Sequence, residues 1–238
     1  MWTTLTDTLL GLVFPLDCGL CGELLPSRQN GGICGRCENA VVLIPGPHCP
    51  GCGRTALFEN ARCGRCENEK FHFDRAFACV FYKDGMKTLL HDFKFGRKRF
   101  LAPFFSRLMM RFALEHLRSE KWALVVPVPM DKKKEFERGF NPSEALSASV
   151  AKKTGRPHLA GALACRPAET PQAALTKTER RSNVRGRFFV RKPEAVVSKN
   201  ILLVDDILTT GQTASACALA LKIAGSGTVT VLAFARGA

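Results

Sequence analysis

A short segment near the end of the chain, residues 201–213, most constrains how the protein can fold. A run of apolar, strand-type residues leads into Asp205 and Asp206, and the turn of residues 209–213 then opens a helix. The first amides of a helix lack backbone partners and lie at the positive end of its dipole, so such a turn can bind a phosphate group. Two carboxylates beside it suit the neighbouring hydroxyls of a sugar. The segment therefore predicts a strand, turn and helix that bind a sugar phosphate.

Known phosphate-binding motifs and a plain surface turn both fit this segment less well. The chain has no G-x-x-x-x-G-K-[ST] sequence and no G-x-G-x-x-G after a strand, so it matches neither a P-loop nor a dinucleotide-binding turn. A plain surface turn with an acidic N-cap would explain one aspartate and one threonine. It would not explain two acids, three threonines and a glycine directly after an apolar strand.

Hydrophobic periodicity predicts further strands and helices along the chain. The predicted strands are residues 71–82, 122–129, 159–165, 200–204 and 228–235, and the predicted helices are 100–117, 143–155 and 213–224. Turns are predicted at Asp84 and Gly85 and at residues 131–139, and Ser143 is the predicted N-cap. Alternating strands and helices predict an α/β fold with a mostly parallel sheet flanked by helices, and ligands bind at the carboxyl ends of such strands. The polar stretch 166–187 is predicted to be a mobile functional loop or disordered.

Eight of the eleven cysteines form four C-x2-C pairs. Two thiolates on a tight turn can reach one tetrahedral metal ion, and two such turns complete a site of four cysteines. The pattern predicts two structural Zn²⁺ sites, because four thiolates leave no open position for catalysis. Four disulfides are less favoured because no export signal precedes them. Sequential and interleaved pairings both remain open for the ligands, which are Cys18, Cys21, Cys34, Cys37, Cys49, Cys52, Cys63 and Cys66.

The cysteine pairs also divide the chain. Residues 18–69, rich in Gly and Cys and poor in large apolar side chains, are predicted to be a double zinc ribbon that needs its metal to fold. Residues 1–17 are predicted to be an amphipathic helix, and residues 70–238 the α/β domain. The remaining cysteines, Cys79, Cys165 and Cys217, lie in apolar contexts and are predicted to be small core residues.

The net charge of +14 indicates polyanionic partners, either nucleic acid or polyphosphorylated metabolites. The apolar run near the N-terminus is not predicted to be a signal peptide, because no positive side chain precedes it and no small-residue cleavage site follows. No other stretch is long enough to span a bilayer. A cytoplasmic protein is predicted.

Residues 203–213, with the sequence LVDDILTTGQT, resemble the signature with which type I phosphoribosyltransferases bind phosphoribosyl pyrophosphate (PRPP). Nearly the whole chain resembles the ComF or ComFC family of competence proteins, which join an N-terminal double zinc ribbon to a phosphoribosyltransferase-like domain. Residues 127–129 and 138–141 match the family's pyrophosphate-loop segment, and residues 94–96 a shortened Lys-aromatic-x-Gly element. The flexible-loop match comprises Thr170, Gln172, Leu175, Arg180, Asn183 and Phe188. Pro142 departs from the family, which has Gln there.

The resemblance implies a role for each part of the site. Asp205 and Asp206 would be the catalytic residues and would hold the ribose of PRPP, which brings Mg²⁺ with it. The 5′-phosphate would bind Thr209, Thr210, Gly211, Gln212 and Thr213. Arg138, with residues 132–134, would bind the pyrophosphate. Gln172, Arg180 and Arg181 would close over the site from the flexible loop.

The resemblance also implies natural transformation, with single-stranded DNA and other competence proteins as partners. Three functions remain open: transfer of phosphoribose from PRPP to an unidentified acceptor, PRPP sensing by a non-catalytic module that binds single-stranded DNA, and base salvage by a phosphoribosyltransferase. The candidate DNA contacts are Arg36, Arg54, Arg62, Arg65, Arg97, Lys98, Arg99, Phe93, Phe95, Phe100 and residues 180–192. The sequence does not predict the oligomeric state.

Overall fold

The computed structural model describes residues 16–25, 31–118, 120–167 and 186–237. Most of the predicted N-terminal helix, residues 1–15, lies outside this part of the chain. The predicted flexible-loop residues Gln172, Arg180 and Arg181 lie outside it as well. Among the described residues, no helix combines the length and apolar character that crossing a bilayer requires.

Eight strands and six helices make up the described part of the chain. In chain order they are β1 (Leu16–Asp17), β2 (Leu24–Leu25), α1 (Gly35–Asn39), β3 (Arg75–Phe81), α2 (Asp84–Phe95), α3 (Ala102–His116), β4 (Leu124–Pro127), α4 (Lys132–Arg138), α5 (Pro142–Thr154), β5 (Leu163–Cys165), β6 (Phe188–Val190), β7 (Ile201–Leu208), α6 (Gln212–Ile223) and β8 (Val229–Arg236).

The central sheet has the strand order β3-β8-β7-β4, and all its neighbours are parallel. Every residue of β8 and all but one of β7 are buried, as expected for parallel strands covered on both faces. The predicted α/β fold with a mostly parallel sheet is therefore confirmed. Two short antiparallel pairs, β1 with β2 and β5 with β6, lie outside this sheet.

Alternate side chains of each strand pack into two separate cores. On one face, Leu202 and Val204 of β7 pack in a core with α2, α3 and α5. On the other face, Ile201 and Leu203 pack in a core with α6. Helices on both faces leave the carboxyl ends of the strands as the open edge where the loops meet.

Each of the two cysteine-rich ribbons covers a different part of this domain. The first ribbon contacts α3, where the Arg107 guanidinium donates to both Glu38 oxygens at 2.7 and 2.6 Å. The second ribbon lies along the edge strand β3, where the Ala76 amide donates to the Pro50 carbonyl at 2.9 Å and residue Gly53 bridges Phe77. The ribbon thus occupies backbone groups that an uncovered edge strand would expose.

Several local predictions were wrong, for physical reasons the structure makes clear. The predicted turn at Asp84 is the start of α2, and the predicted turn at 131–139 contains α4, which ends at Gly139 in the left-handed conformation. Asn141, not Ser143, caps α5: its Oδ1 accepts from the Ser143 amide at 3.1 Å, and Pro142 fills the first helical position, which needs no amide.

The predicted strand at 159–165 also differs from the observed one. Only Leu163–Cys165 forms a strand, and it pairs antiparallel with β6 rather than joining the central sheet. His158, the residue before the predicted segment, makes an isolated parallel bridge to Val125 at the outer edge of β4. The chain therefore leaves the sheet after one bridge, which the apolar pattern alone could not show.

The cluster of phenylalanine rings between α2, α3 and β8 generates a stability prediction. The Phe105 ring is fully buried, with its centroid 4.5 Å from Phe234 and 5.1 Å from Phe93. Phe105→Ala should lower the free energy of unfolding by about 3–5 kcal/mol in urea titrations, because it leaves a large cavity. The control Phe136→Ala removes a ring that is 88% exposed and should change it by less than about 0.5 kcal/mol. Equal losses would contradict this account of the core.

Candidate functional site

Two buried carboxylates lie near the end of β7. The strand runs on to Leu208, so Asp205 and Asp206 belong to the strand itself rather than following it. Asp205 Oδ1 accepts hydrogen bonds from Ser143 Oγ and from the Asp206 amide, each at 2.9 Å. Lys94 Nζ donates to Asp206 Oδ1 at 2.8 Å. Each acid therefore has its own polar partner despite being less than a tenth exposed.

The two acids differ in their electrostatic surroundings. Burial, and after it the negative charge of Asp206, raise the pKa of Asp205 to about 7, although Lys94 and the hydrogen bonds from Asp206 and Ser143 act in the opposite direction. A carboxyl group with such a pKa exchanges a proton near neutral pH, which is common at functional sites.

The acids open into a cavity of about 240 Å³ at the carboxyl ends of β4 and β7. It combines residues from α2, α4, the start of α5, β6 and the first turn of α6. Its lining comprises Lys94, Val128, Pro129, Met130, Asp131, Lys134, Arg138, Asn141, Ser143, Cys165, Arg187, Phe188, Asp205, Asp206 and Thr213. Of the residues predicted from the family resemblance, the structure brings Asp205, Asp206, Thr213 and Arg138 together here.

The turn before α6 lies beside this cavity. Thr209 and Thr210 are exposed, and the Gln212 amide contacts Thr210 Oγ1 at 3.4 Å. Gly211 has φ +80°, and a Cβ there would lie 3.0 Å from the Phe71 ring, so both backbone and space require glycine. The first amides of the twelve-residue helix α6 are available at this end. The arrangement suits an anion.

Arg138 lies on α4. Residues 132–134 on the same helix were predicted to bind pyrophosphate with it, but not all of them line the cavity. The Arg138 guanidinium lies over the Phe95 ring, 4.7 Å from the centroid, and burial lowers its pKa while the charge of Asp206 acts in the opposite direction. Lys134 also lines the cavity, whereas Lys132 pairs with Glu135 at 2.8 Å and does not line it. Arginine keeps its charge despite such a shift, so Arg138 is available to an anion.

Four residues at the site were not predicted as ligands from local sequence. Ser143 was interpreted as a helix cap, and Asn141 was matched only within a family segment, yet both line the cavity. Lys94 was noted only in a shortened family element, and Arg187 only within the range 180–192 that was predicted to contact DNA. The Arg187 Nη2 atom lies 3.9 Å from Oδ2 of Asp131, which also lines the cavity. No local signal identifies them because they come from separate elements.

The eight paired cysteines form two clusters in sequential order, which resolves the pairing that the sequence left open. One cluster is Cys18, Cys21, Cys34 and Cys37, and the other is Cys49, Cys52, Cys63 and Cys66. Within each, all four sulfur atoms lie within 4.8 Å of one another. The distances Cys21 Sγ to Cys34 Sγ, 3.8 Å, and Cys52 Sγ to Cys63 Sγ, 3.6 Å, match the roughly 3.8 Å expected between thiolates bound tetrahedrally to zinc.

Backbone amides donate to sulfur atoms in both clusters. The Cys34 amide donates to Cys18 Sγ at 3.4 Å, and the Cys63 amide donates to Cys49 Sγ at 3.3 Å. Burial alone would raise the pKa of Cys18, but amides including that of Cys34 outweigh it and lower the pKa to about 6. Two structural Zn²⁺ sites fit this donor set, as predicted.

The three unpaired cysteines do not all behave as predicted. Cys79 and Cys217 are fully buried in the two cores. Cys165 is only half-buried and lines the cavity, so the prediction of a core residue was wrong for it. It ends the short strand β5, which pairs with β6 outside the central sheet, and this leaves Cys165 only partly enclosed.

The raised pKa of Asp205 generates a prediction about stability and pH. A carboxyl group with a folded pKa near 7 and an unfolded value of 3.8 contributes its full stability below pH 3.8 and loses it as pH rises to about 7. Asp205→Asn keeps the acceptor oxygen without the charge. Its free energy of unfolding should exceed that of the parent above pH 7, by on the order of a few kcal/mol, and the difference should shrink toward about pH 5.5.

Urea unfolding across this pH range measures the difference. Glu194→Gln is the matched control, because it removes the charge of an exposed carboxyl group and should bring no such gain. Parallel profiles for the parent and Asp205→Asn would contradict a buried, proton-exchanging Asp205.

Comparisons with known proteins agree with this architecture. Residues 9–67 match the family described as a double zinc ribbon domain. The chain is 30% identical to the DNA utilization protein YhgH of Salmonella typhimurium over 94% of this chain and 99% of that protein. It is 25% identical to competence protein F of Haemophilus influenzae over 94% and 98% of the two chains. It is 29% identical to competence protein ComFC of Bacillus subtilis over 76% and 74%.

Among solved structures, glutamine phosphoribosylpyrophosphate amidotransferase of B. subtilis superposes with a TM-score of 0.38 and 21% identity, over 54% of this chain and 25% of that one. A superposition at this score does not establish a shared site. The relatives matched along their length do establish the family. With its double zinc ribbon and parallel α/β domain, the chain belongs to the ComF (ComFC) family.

Proposed function

We propose that the cavity binds PRPP. The observation that carries this proposal is that the buried pair Asp205 and Asp206 opens into the same cavity as Thr213 in the first turn of α6. A 5′-phosphate on that turn would receive amide and hydroxyl hydrogen bonds. The ribose attached to it would then extend toward the carboxylates, which accept from hydroxyl groups.

The charges around the cavity favour a polyanion at its other end. Four cationic side chains line it, Lys94, Lys134, Arg138 and Arg187, against three carboxyl groups, of which Asp205 is partly protonated at neutral pH. Arg138 and Lys134 lie where they could receive the pyrophosphate. At about 240 Å³ the cavity is smaller than the roughly 300–1,000 Å³ of most ligand sites, which agrees with the 5′-phosphate lying on the exposed turn outside it.

Lys94 limits where Mg²⁺ could bind at this site. Its ammonium group already lies 2.8 Å from Asp206 Oδ1, so a cation is in place at that carboxylate. The protein therefore offers no free cluster of carboxylates for a resident magnesium ion among its described residues. Mg²⁺ would arrive with the pyrophosphate as part of the ligand, coordinated mainly by phosphate oxygens.

Transfer of the phosphoribosyl group is the reaction this arrangement would support. The bond from C1 to the pyrophosphate oxygen breaks, positive charge develops on the ribose, and an acceptor atom takes the place of the leaving group. The protein's part is to orient the ribose through Asp205 and Asp206 and to neutralise the departing charge through Arg138. The acceptor remains to be identified, and a base acceptor would make the reaction one of nucleotide salvage.

PRPP binding can be tested through Thr213, which lines the cavity. Thr213→Val keeps the side-chain shape and removes one donor to a charged oxygen. It should weaken Mg-PRPP binding about 10- to 150-fold in calorimetric titrations, the equivalent of roughly 1.5–3 kcal/mol. Thr88→Val, at an exposed position on α2 away from the cavity, is the matched control and should bind normally.

The double change Asp205→Ala with Asp206→Ala should abolish this binding and leave the zinc content unchanged. A parent protein that gives no binding signal with Mg-PRPP would overturn the proposal. Release of pyrophosphate in the presence of candidate acceptors would then distinguish an enzyme from a PRPP sensor.

A second function, binding of single-stranded DNA, has one specific observation in its favour. The Phe95 ring is 62% exposed at the end of α2, directly after Lys94 and in contact with Arg138. An aromatic ring beside cationic side chains can stack a base while the cations attract the backbone. The names of the relatives, a DNA utilization protein and competence proteins, support this function and competence partners.

The structure narrows the surface predicted for DNA. Phe93 is fully buried and Phe100 packs against the core, so neither can stack a base. Arg54 and Arg62 donate to backbone carbonyls, and Lys98 pairs with Asp92 at 2.7 Å. Of the predicted aromatic side chains that the structure describes, Phe95 is the most exposed, at 62% against 37% for Phe189. We also propose that the protein is cytoplasmic and that its two main domains span residues 18–69 and 70–238.

Phe95→Ala tests DNA binding. It should weaken retention of a labelled single strand about 5- to 150-fold, since stacking on an aromatic side chain contributes roughly 1–3 kcal/mol per base. Phe58→Ala is the matched control, because its ring is 66% exposed on the second ribbon and should not contribute. Affinity should also fall steeply as salt rises. Retention that depends neither on the salt concentration nor on Phe95 would contradict DNA binding at this surface.

A further inference from the structure

The second zinc ribbon contacts the back of the turn that precedes α6. Arg54, two residues after the ligand Cys52, donates through Nη2 to the Gly237 carbonyl at 3.0 Å. The residue before Gly237, Arg236, donates through Nη1 to the carbonyls of Leu208 and Thr209, and to that of Gly237 at 3.0 Å. The turn and the second ribbon are therefore joined through one short stretch of backbone at the end of β8.

Arg236 makes this connection rigid because of where it lies. It is only 6% exposed, and its guanidinium bonds three acceptors at the start of the turn and after the end of β8. Arg54 bonds the same Gly237 carbonyl as Arg236 and lies two residues after the zinc ligand Cys52.

Phe71 makes a second, independent connection. Its ring packs with the cluster of Cys49, Cys52 and Cys66, and a Cβ at Gly51 would lie 3.2 Å from it. The other side of the ring faces the turn, where a Cβ at Gly211 would lie 3.0 Å away. The next residue continues the contact, because the His72 amide donates to Ser215 Oγ on α6 at 3.0 Å.

The first ribbon has its contacts elsewhere. Its Glu38 bonds Arg107 on α3, and Arg111 donates to the Val41 carbonyl at 2.7 Å. Glycines of the same ribbon lie against Leu89 and Phe104, on α2 and α3. Within the described ranges, these contacts of the first ribbon lead to the helical face of the domain and not to residues 208–213.

We propose that the second zinc site positions the phosphate-binding turn, with Arg54, Arg236 and Phe71 as positioning residues, and that the first site does not. The expected change in PRPP affinity rests on the proposed function, whereas the expected change in the turn does not. Zinc fixes the loop carrying Cys52 and Arg54, and this loop holds the carbonyls from which the turn starts. Loss of metal from the second site releases the turn, so that its amides no longer converge on one anion.

Two substitutions test the connection without removing a zinc ligand. Arg54→Met keeps the aliphatic part of the side chain and removes the donor to Gly237, and Phe71→Leu removes most of the ring. Arg107→Met is the matched control, since it removes a guanidinium that joins the first ribbon to α3. All three variants should retain two zinc ions per chain by elemental analysis.

Hydrogen exchange of the Gly237 and Ser215 amides, which donate to the Leu208 and Gly211 carbonyls at the two ends of the turn, is the primary measurement. It should be at least about 10-fold faster in Arg54→Met and Phe71→Leu than in the parent, and unchanged in Arg107→Met. Affinity for Mg-PRPP should fall by a similar factor in the first two variants alone. Unchanged exchange in Arg54→Met, or equal acceleration in Arg107→Met, would overturn the proposal.

The exchange measurement also separates this proposal from the proposed function. If the parent does not bind PRPP, the function fails, but faster exchange of the Gly237 and Ser215 amides in Arg54→Met would still support the connection. Variants that lack one zinc ligand complete the test. Cys63→Ser should lose one zinc ion and accelerate the same amides, whereas Cys21→Ser should lose one zinc ion and leave them unchanged; if Cys63→Ser fails to fold, the Arg54 and Phe71 variants decide.

Discussion

The structure of the site depends on holding two adjacent carboxyl groups in a place with little water. Strand β7 is enclosed by helices on both faces, and it continues past its apolar run to carry Asp205 and Asp206 into the cavity. An isolated buried charge is costly, so each acid needs a partner. Ser143 and Lys94 supply these partners from α5 and α2, and so fix both helices relative to the sheet.

This arrangement leaves Asp205 able to exchange a proton near neutral pH. Lys94 neutralises Asp206, and burial keeps the pKa of Asp205 near 7. Such a site is less stable than an apolar one would be and is arranged to receive a polar ligand. The helix start that holds Thr213 lines the same cavity, which is the arrangement that the proposed PRPP site requires.

The zinc ribbons extend a small domain in two different ways. A Gly- and Cys-rich segment cannot bury enough apolar surface to fold by itself, and the metal supplies the missing stability. The first ribbon adds to the helical face through Glu38 and Arg107. The second covers the edge strand β3 and reaches the turn beside the site through Arg54 and Phe71. Structural metal sites need not be remote from function.

The sequence by itself determined those features that arise within a few consecutive residues. The four C-x2-C pairs and the turn with Gly211 could be predicted because their chemistry is local, and the family resemblance was visible for the same reason. Tertiary structure alone decided which cysteine pairs share a metal, and that Ser143 faces Asp205 rather than capping α5. It also decided that Arg54 faces the protein interior rather than solvent. These facts depend on contacts between residues far apart in the chain, and no local pattern records which surfaces meet.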